Sequence, residues 1–349
     1  MMKRFFTFFV TLAVAGVVSA YAQTLQKSSA EVPAQVKRCV AVEEYTGTAC
    51  GWCPRGIVGM EQLRKEFGDQ FVGIAIHQYN SGDPMYINPN AYASIGFTGA
   101  PSCALDRRYI TDPYYGNGND IADDFRAVLA LPAEAGVEVD GVWNEDSTSV
   151  QAVATIMPLV DGSAYSVEFV LIADSLTGTA TSWTQQNYYY QYTPAQADAT
   201  GTELAQFCKG GENGKSSVKG WIFNDVAIKS SYVSNVNQAS GVSNLVAGVE
   251  ATSEYTLTLP TKTTLKKALR KDFIYVAALL VDAKGIIVNS AKARVQGAGD
   301  SVGIETAQTS STTRTAARYS LDGRQLPAAQ KGLNIVRMGD GTVRKLIVK

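Results

Sequence analysis

Two cysteines set the chemistry open to this chain. Cys50 and Cys53 stand with two residues between them in Glu44-Tyr45-Thr46-Gly47-Thr48-Ala49-Cys50-Gly51-Trp52-Cys53-Pro54-Arg55-Gly56. Thiols at that spacing can carry out thiol–disulfide exchange, one attacking as thiolate and the other, within one turn, resolving the mixed disulfide. A helix opening just after the pair would favour the thiolate through its unpaired N–H groups and dipole. Cys50 is then expected as the exposed nucleophile and Cys53 as the more buried resolving thiol. The same spacing also serves zinc sites and structural disulfides. Zinc is disfavoured, because no second pair lies at ligand spacing, and no metal or cofactor is expected. A structural staple stays open as the alternative.

His77 is the single histidine. It could tune the thiolate or shuttle a proton, or it could simply hold the turn Asp83-Pro84-Met85. Arg55 could stabilise a Cys50 thiolate or be a solvated side chain. Cys39, Cys103 and Cys208 read as buried, inert thiols. The total of five cysteines is odd, so at least one is unpaired or bonded between molecules.

The elements that must position these groups follow from hydrophobic spacing. Residues 38–45 form an apolar run of strand length, as a buried central strand requires. Ile57, Met60, Leu63 and Phe67 fall at helical spacing and Gly68 supplies a stop. Residues 71–77 make a second apolar strand, so the cysteines sit in a strand–helix–strand unit with a right-handed crossover. His77 then lies at the strand end where such sheets build their sites. A short helix is expected near residues 90–95 and a third strand after Gly99-Ala100-Pro101. Ile121, Phe125, Val128 and Leu129 mark a closing helix, and Leu131-Pro132-Ala133 a boundary.

Beyond that boundary, residues 136–140, 150–156, 165–173 and 255–259 alternate apolar and polar side chains, as an antiparallel sandwich does; 221–228 and 273–281 do so less cleanly. Trp183 and Tyr188-Tyr189-Tyr190-Gln191-Tyr192 form an aromatic cluster, read as cross-strand packing in the sandwich or as a carbohydrate- or peptide-binding face. The organisation expected is a signal peptide at 1–22, a lead-in at 23–36, an α/β domain at 37–132, a β-sandwich at 133–296, a flexible linker at 297–316 and a small β-meander at 317–349.

With 31 basic and 32 acidic residues the formal net charge is -1, which argues against nucleic acid as a partner. Met1-Met2-Lys3-Arg4, an apolar run over 5–18 and Ala20-Tyr21-Ala22 make an export signal cleaved before Gln23. That run is too short for a stable span, and no transmembrane segment is expected in the mature chain. Export also places the cysteines where disulfides persist.

A Cys-x-x-Cys pair between strand and helix is the context that reads as thioredoxin-like, and the site resembles thioredoxins in detail. Glu44, six residues before Cys50, matches that family's buried acid, which exchanges a proton with the resolving thiol. Ala100-Pro101 resembles its cis-proline segment, which lies against the cysteines and pairs with substrate backbone. Ala49 stands where the family has tryptophan, and Gly51-Trp52 replaces Gly-Pro, with Pro54 after the pair. These departures leave the redox direction open and make Trp52 a secondary site candidate beside His77.

Val42-Glu43-Glu44-Tyr45-Thr46-Gly47, Pro54-Arg55-Gly56, His77 and residues 99–106 resemble the outer membrane protein 28-related proteins. The resemblance implies an α/β thioredoxin-like domain followed by an all-β immunoglobulin-like sandwich. Tyr319-Ser320-Leu321-Asp322-Gly323-Arg324, Gly332-Leu333-Asn334-Ile335-Val336 and Lys345-Leu346-Ile347-Val348-Lys349 resemble the type IX secretion sorting domain. Together these imply export through the periplasm to the cell surface, outer membrane or medium. The partners implied are exported protein thiols or disulfides, an upstream redox partner and the type IX secretion machinery. The competing expectation is a surface binding or adhesion protein with Cys50–Cys53 as a staple.

Overall fold

The computed structural model describes residues 36–87, 92, 95–114, 121–233, 236–297 and 326, and the backbone of strands at 315–319, 332–338 and 343–348. The expected signal peptide at 1–22, most of the lead-in and linker, and most of the helix near 90–95 lie outside the described residues. The chain is mostly β, with several sheets and a few helices.

The segment that holds the cysteines runs β1 (Val40–Thr46), α1 (Pro54–Phe67), β2 (Phe71–His77), β3 (Ser102–Leu105), β4 (Tyr109–Thr111) and α2 (Ile121–Leu129). Proline opens α1, where its fixed φ suits the first turn and its missing N–H is not needed. Arg64 and Lys65 sit in the last turn, favourably for the helix dipole, and Gly68 ends the helix at φ 54°. β1 pairs parallel with β2 from Val40↔Phe71 to Thr46↔His77, and antiparallel with β3.

The second part contributes β5 (Ala135–Trp143), β6 (Ser149–Pro158), β7 (Ser166–Ala173), β8 (Val226–Ser230), β9 (Ala251–Thr258), a short helix α3 (Thr263–Ala268), β10 (Ile274–Val281) and β11 (Ile287–Arg294). Strands from both sides of residue 132 share one eight-stranded sheet, ordered β11-β10-β7-β8-β2-β1-β3-β4. The join is the parallel bridge Val226↔Ala75 between β8 and β2. β9-β6-β5 form a separate antiparallel layer. β12 (Thr315–Tyr319), β13 (Gly332–Met338) and β14 (Val343–Val348) make an antiparallel meander.

Alternation along the strands divides the interior. Val150, Ala152 and Ile156 of the three-stranded layer pack against Phe169, Leu171, Val276 and Leu280. The intervening residues Val170, Ile172, Ala277 and Leu279 point the other way and join Ala41, Val72, Ile74 and Ile76 in a second cluster. Across β1 and β2, Val40, Val42 and Phe71 face Met60 and Leu63 of α1 and Phe125 of α2. Fully burying one such side chain is worth roughly 1.5–3 kcal/mol. Glu44 and Thr46 continue the helix-facing row of β1, and Ala75 and His77 that of β2.

Candidate functional site

Cys50 and Cys53 are joined by a disulfide at the start of α1, with Cα atoms 5.3 Å apart. The Cys50 N–H donates to Gly47 O at 3.0 Å, the Cys53 N–H to Cys50 O at 3.2 Å, and the Ile57 N–H to Cys53 O at 3.1 Å. Cys53 therefore caps the helix, where the dipole favours a thiolate.

Glu44 lies beneath this turn. It is almost completely buried, and its Oε1 has no hydrogen-bond partner among the described residues. Burial pushes its carboxyl up to about 8, against the pull of a hydrogen bond with Thr46 and with a further upward push from Asp225. Burial thus favours its neutral, protonated form. Gly56 explains how the acid fits. A Cβ there would run into the Glu44 carboxyl and stand 3.0 Å from Pro101 Cβ. Pro101 is buried, follows a cis peptide from Ala100, and meets the first turn of α1 at that glycine. The first turn of α1, capped by Cys53 of the disulfide, thus packs on both Glu44 and Pro101.

His77 is buried at the end of β2, and its Nδ1 lies 2.9 Å from Asp83 Oδ2. That carboxylate also accepts the N–H groups of Thr48, at 2.7 Å, and Met85, at 2.8 Å. Burial alone would raise Asp83, but His77 and the two amides outweigh it and hold it below the usual carboxylate range. The turn-holding expectation for His77 is met here. It holds the Asp83 turn, and it also lines a cavity of about 260 Å³ with Glu44, Thr46, Arg64, Gln185 and Asp225. Through the Thr48 N–H, Asp83 also ties the loop before Cys50 to β2.

The main departure from expectation concerns access. Cys50 is 2% exposed and Cys53 is 0% exposed, so neither sulfur is open; Trp52, at 37%, is the exposed member of the tetrad. The cover comes from the tyrosines of the aromatic cluster, which pack on the disulfide loop, whereas Trp183 packs in the sandwich core beside Phe223 as cross-strand packing would have it. Gln185 Nε2 donates to Cys50 O at 2.9 Å. The Gln186 N–H donates to Thr48 O at 2.7 Å, and the Tyr188 N–H to Gly51 O at 2.8 Å. A Cβ on Gly51 would fall 2.5 Å from the Tyr188 ring, so glycine permits this approach. Trp52 meets Tyr188 and Tyr189 edge-on, with centroids 5.4 and 5.2 Å away, and Tyr192 at 6.1 Å.

Arg55 neither faces a thiolate nor floats in solvent. It pairs with Asp112 at 2.7 Å and donates to Tyr189 Oη at 3.5 Å. Cys39, Cys103 and Cys208 are buried free thiols. Burial raises each of them, Cys39 to about 11. On β3, Cys103 is the register partner of Glu44.

The site and fold define a mostly β chain with a disulfide at a helix start whose first turn packs on a buried acid raised above the usual carboxylate range. No family model matches the chain, and no curated protein does. Among solved structures, it is similar to HBP35 of Porphyromonas gingivalis at 13% identity and a TM-score of 0.48, over 90% of this chain and 99% of that one. An Agrobacterium tumefaciens protein solved by X-ray crystallography is similar at 15% identity and a TM-score of 0.37, over 78% of this chain and 100% of that one. At scores this low neither likeness bears on what the chain does. Among the described residues, no helix is long and apolar enough to cross a membrane.

Proposed function

We propose that this chain is an exported protein with a thioredoxin-like domain and a β-sandwich, related to the outer membrane protein 28-related proteins, that carries out thiol–disulfide exchange on exported proteins. The observation that carries this reading is the Cys50–Cys53 disulfide at the start of α1, whose first turn packs at Gly56 on Glu44, a carboxyl raised to about 8. In one direction a client thiolate attacks Cys50 Sγ, the Sγ–Sγ bond breaks, and its electron pair passes to Cys53 Sγ. Glu44 gives its proton to that leaving thiolate. A second client thiolate then attacks the client sulfur of the mixed disulfide and displaces Cys50. The client dithiol leaves as a disulfide and the chain is left reduced; the reverse sequence reduces a client. Pro101 would help to hold the client strand, and His77, fixed by Asp83 beside the cavity, would pass protons between Glu44 and solvent. The leader at 1–22 and the C-terminal meander fit delivery by a type IX route to the cell surface or medium.

The test is insulin reduction and refolding of reduced ribonuclease by the wild type and by Cys50→Ala and Cys53→Ala. Activity in either assay, lost in both variants, is the expected result. Inactivity in both assays, with a disulfide that glutathione leaves intact, would favour the second reading. That reading, a surface binding protein with a structural disulfide, draws support from one observation, the 2% exposure of Cys50.

A further inference from the structure

Residues 183–192 cover the disulfide with a specific geometry. Gln185–Gln186 pairs antiparallel with Ser217–Val218, and the Asn187 N–H donates to Ser216 O at 3.0 Å. The amides of Gln186 and Tyr188 point the opposite way and donate to Thr48 O and Gly51 O. Amides alternating between two sides are the signature of an extended strand. This short strand therefore lies between its antiparallel partner and the loop that carries Cys50. Behind it, the fully buried Asn187 bolts the segment together, its Nδ2 donating to Phe207 O at 2.8 Å. Phe207, Leu204 and Val218 pack with Tyr189 on Val58 of α1.

The contacts with the disulfide loop itself are few and separable. They are two backbone hydrogen bonds, one Gln185 amide, the Tyr188 ring seated on Gly51, and the Trp52 indole against Tyr188, Tyr189 and Tyr192. Tyr188 is also 46% exposed, so it can leave without opening the core. The acceptors it and Gln186 use, Thr48 O and Gly51 O, are backbone groups that any extended chain could engage, and the bare face of Gly51 admits a ring.

We infer that the surface formed by Thr48, Gly51 and Trp52 is a receptor for an extended peptide with an aromatic side chain two residues beyond its first paired amide, and that residues 185–188 occupy it in cis. A client reaches Cys50 by strand exchange, displacing the chain's own segment. The client in this inference rests on the exchange reading above; the cover rests on geometry alone.

The experiment uses the full oxidised chain and a phosphine reductant, with appearance of the Cys50 and Cys53 thiols as readout. Tyr188→Ala with Gln185→Ala should raise the reduction rate about ten-fold or more, the effect of losing the ring and the amide that hold the segment closed. Amide hydrogen exchange should show faster exchange at Gln186 and residue 188, with β1 and β2 unchanged, which separates opening from unfolding. A synthetic peptide of residues 183–192 should then slow reduction of the variant back towards the wild-type rate, and the same peptide with Tyr188→Ala should not. An unchanged reduction rate in a variant whose segment exchanges freely overturns the cover. Absence of protection by the peptide at millimolar concentration overturns the receptor. If the opened variant reduces quickly yet stays inactive on insulin and ribonuclease, the exchange reading fails while the cover stands.

Discussion

Glu43 and Glu44 are neighbours on β1, and the alternation of the strand sends them to opposite faces of the same sheet. Both are buried. On one face, Arg107 donates to Glu43 at 2.7 and 2.8 Å and to Glu168 of β7 at 2.8 and 2.9 Å, a cation between two carboxylates. On the other face, Glu44 has no cation paired with it among the described residues, only Thr46, and burial raises its carboxyl to about 8. Identical chemistry, one residue apart, thus becomes a structural clasp on one face and an acid with a raised pKa on the other. The partner decides, since a buried charge must be paired and an unpaired acid neutralises instead.

The clasp is the place to break this comparison first. Arg107→Met leaves Glu43 and Glu168 without their cation in the interior, and this should cost about 3–5 kcal/mol. The midpoint of guanidinium unfolding at neutral pH measures it. An unmoved midpoint would mean that the two glutamates find other partners, and the contrast with Glu44 would collapse.

Glu44→Gln should act through pH. The folded carboxyl holds its proton to about 8, whereas the ordinary value is 4.5. A raised folded pKa contributes stability that is fully present below the unfolded value and is lost as pH rises through the window to about 8. The difference in stability between wild type and Glu44→Gln should therefore fall across that window, by on the order of 5 kcal/mol. Asp106, raised by burial to about 7, slopes the same way in both proteins, so only the difference is diagnostic. Parallel curves would show that Glu44 titrates normally and cannot serve as the acid described above.

Gly56→Ala comes next. Its Cβ would press on the Glu44 carboxyl and on Pro101 Cβ, 3.0 Å away. Overpacking there should cost about 1–3 kcal/mol. Combined with Glu44→Gln, the two effects should depart from additivity, because the residues touch. Additive midpoints would separate the acid from the helical turn it is said to serve.

Much of the cysteine-bearing region is legible in sequence because its signals are local. The apolar run at 71–77 is β2, the 57-60-63-67 spacing is α1, and Gly68 ends it. Cys50 and Cys53 announce themselves by spacing, and two adjacent glutamates inside an apolar strand could have flagged both buried acids. Arg107 could not be found this way. It lies 64 residues from Glu43 and 61 from Glu168, in a turn where Asp106 and Arg107 both take positive φ. Residues 183–192 carry neither helical nor alternating periodicity, so nothing local says that they fold back onto Gly51. The route of β8 into the edge of β2 is likewise a long-range choice, made by the pairing Val226↔Ala75.

The smallest expected effect contrasts a surface ion pair with the clasp and tests where the covering segment is anchored. Lys65 of α1 meets Glu203, on the far side of that segment, at 2.6 Å, with side chains 56% and 51% exposed. Solvent screens such a pair, so Lys65→Ala should shift stability by less than about 0.5 kcal/mol. Phosphine reduction of Cys50–Cys53 should also proceed at the wild-type rate, since the hydrogen bonds on the disulfide loop come from Gln185, Gln186 and Tyr188 and the ring contacts from Tyr188, Tyr189 and Tyr192. If Lys65→Ala instead speeds reduction as much as the Tyr188 and Gln185 changes do, the segment is held at its Glu203 end. Closure would then be electrostatic and weakened by salt, and the ring on Gly51 would be a passenger.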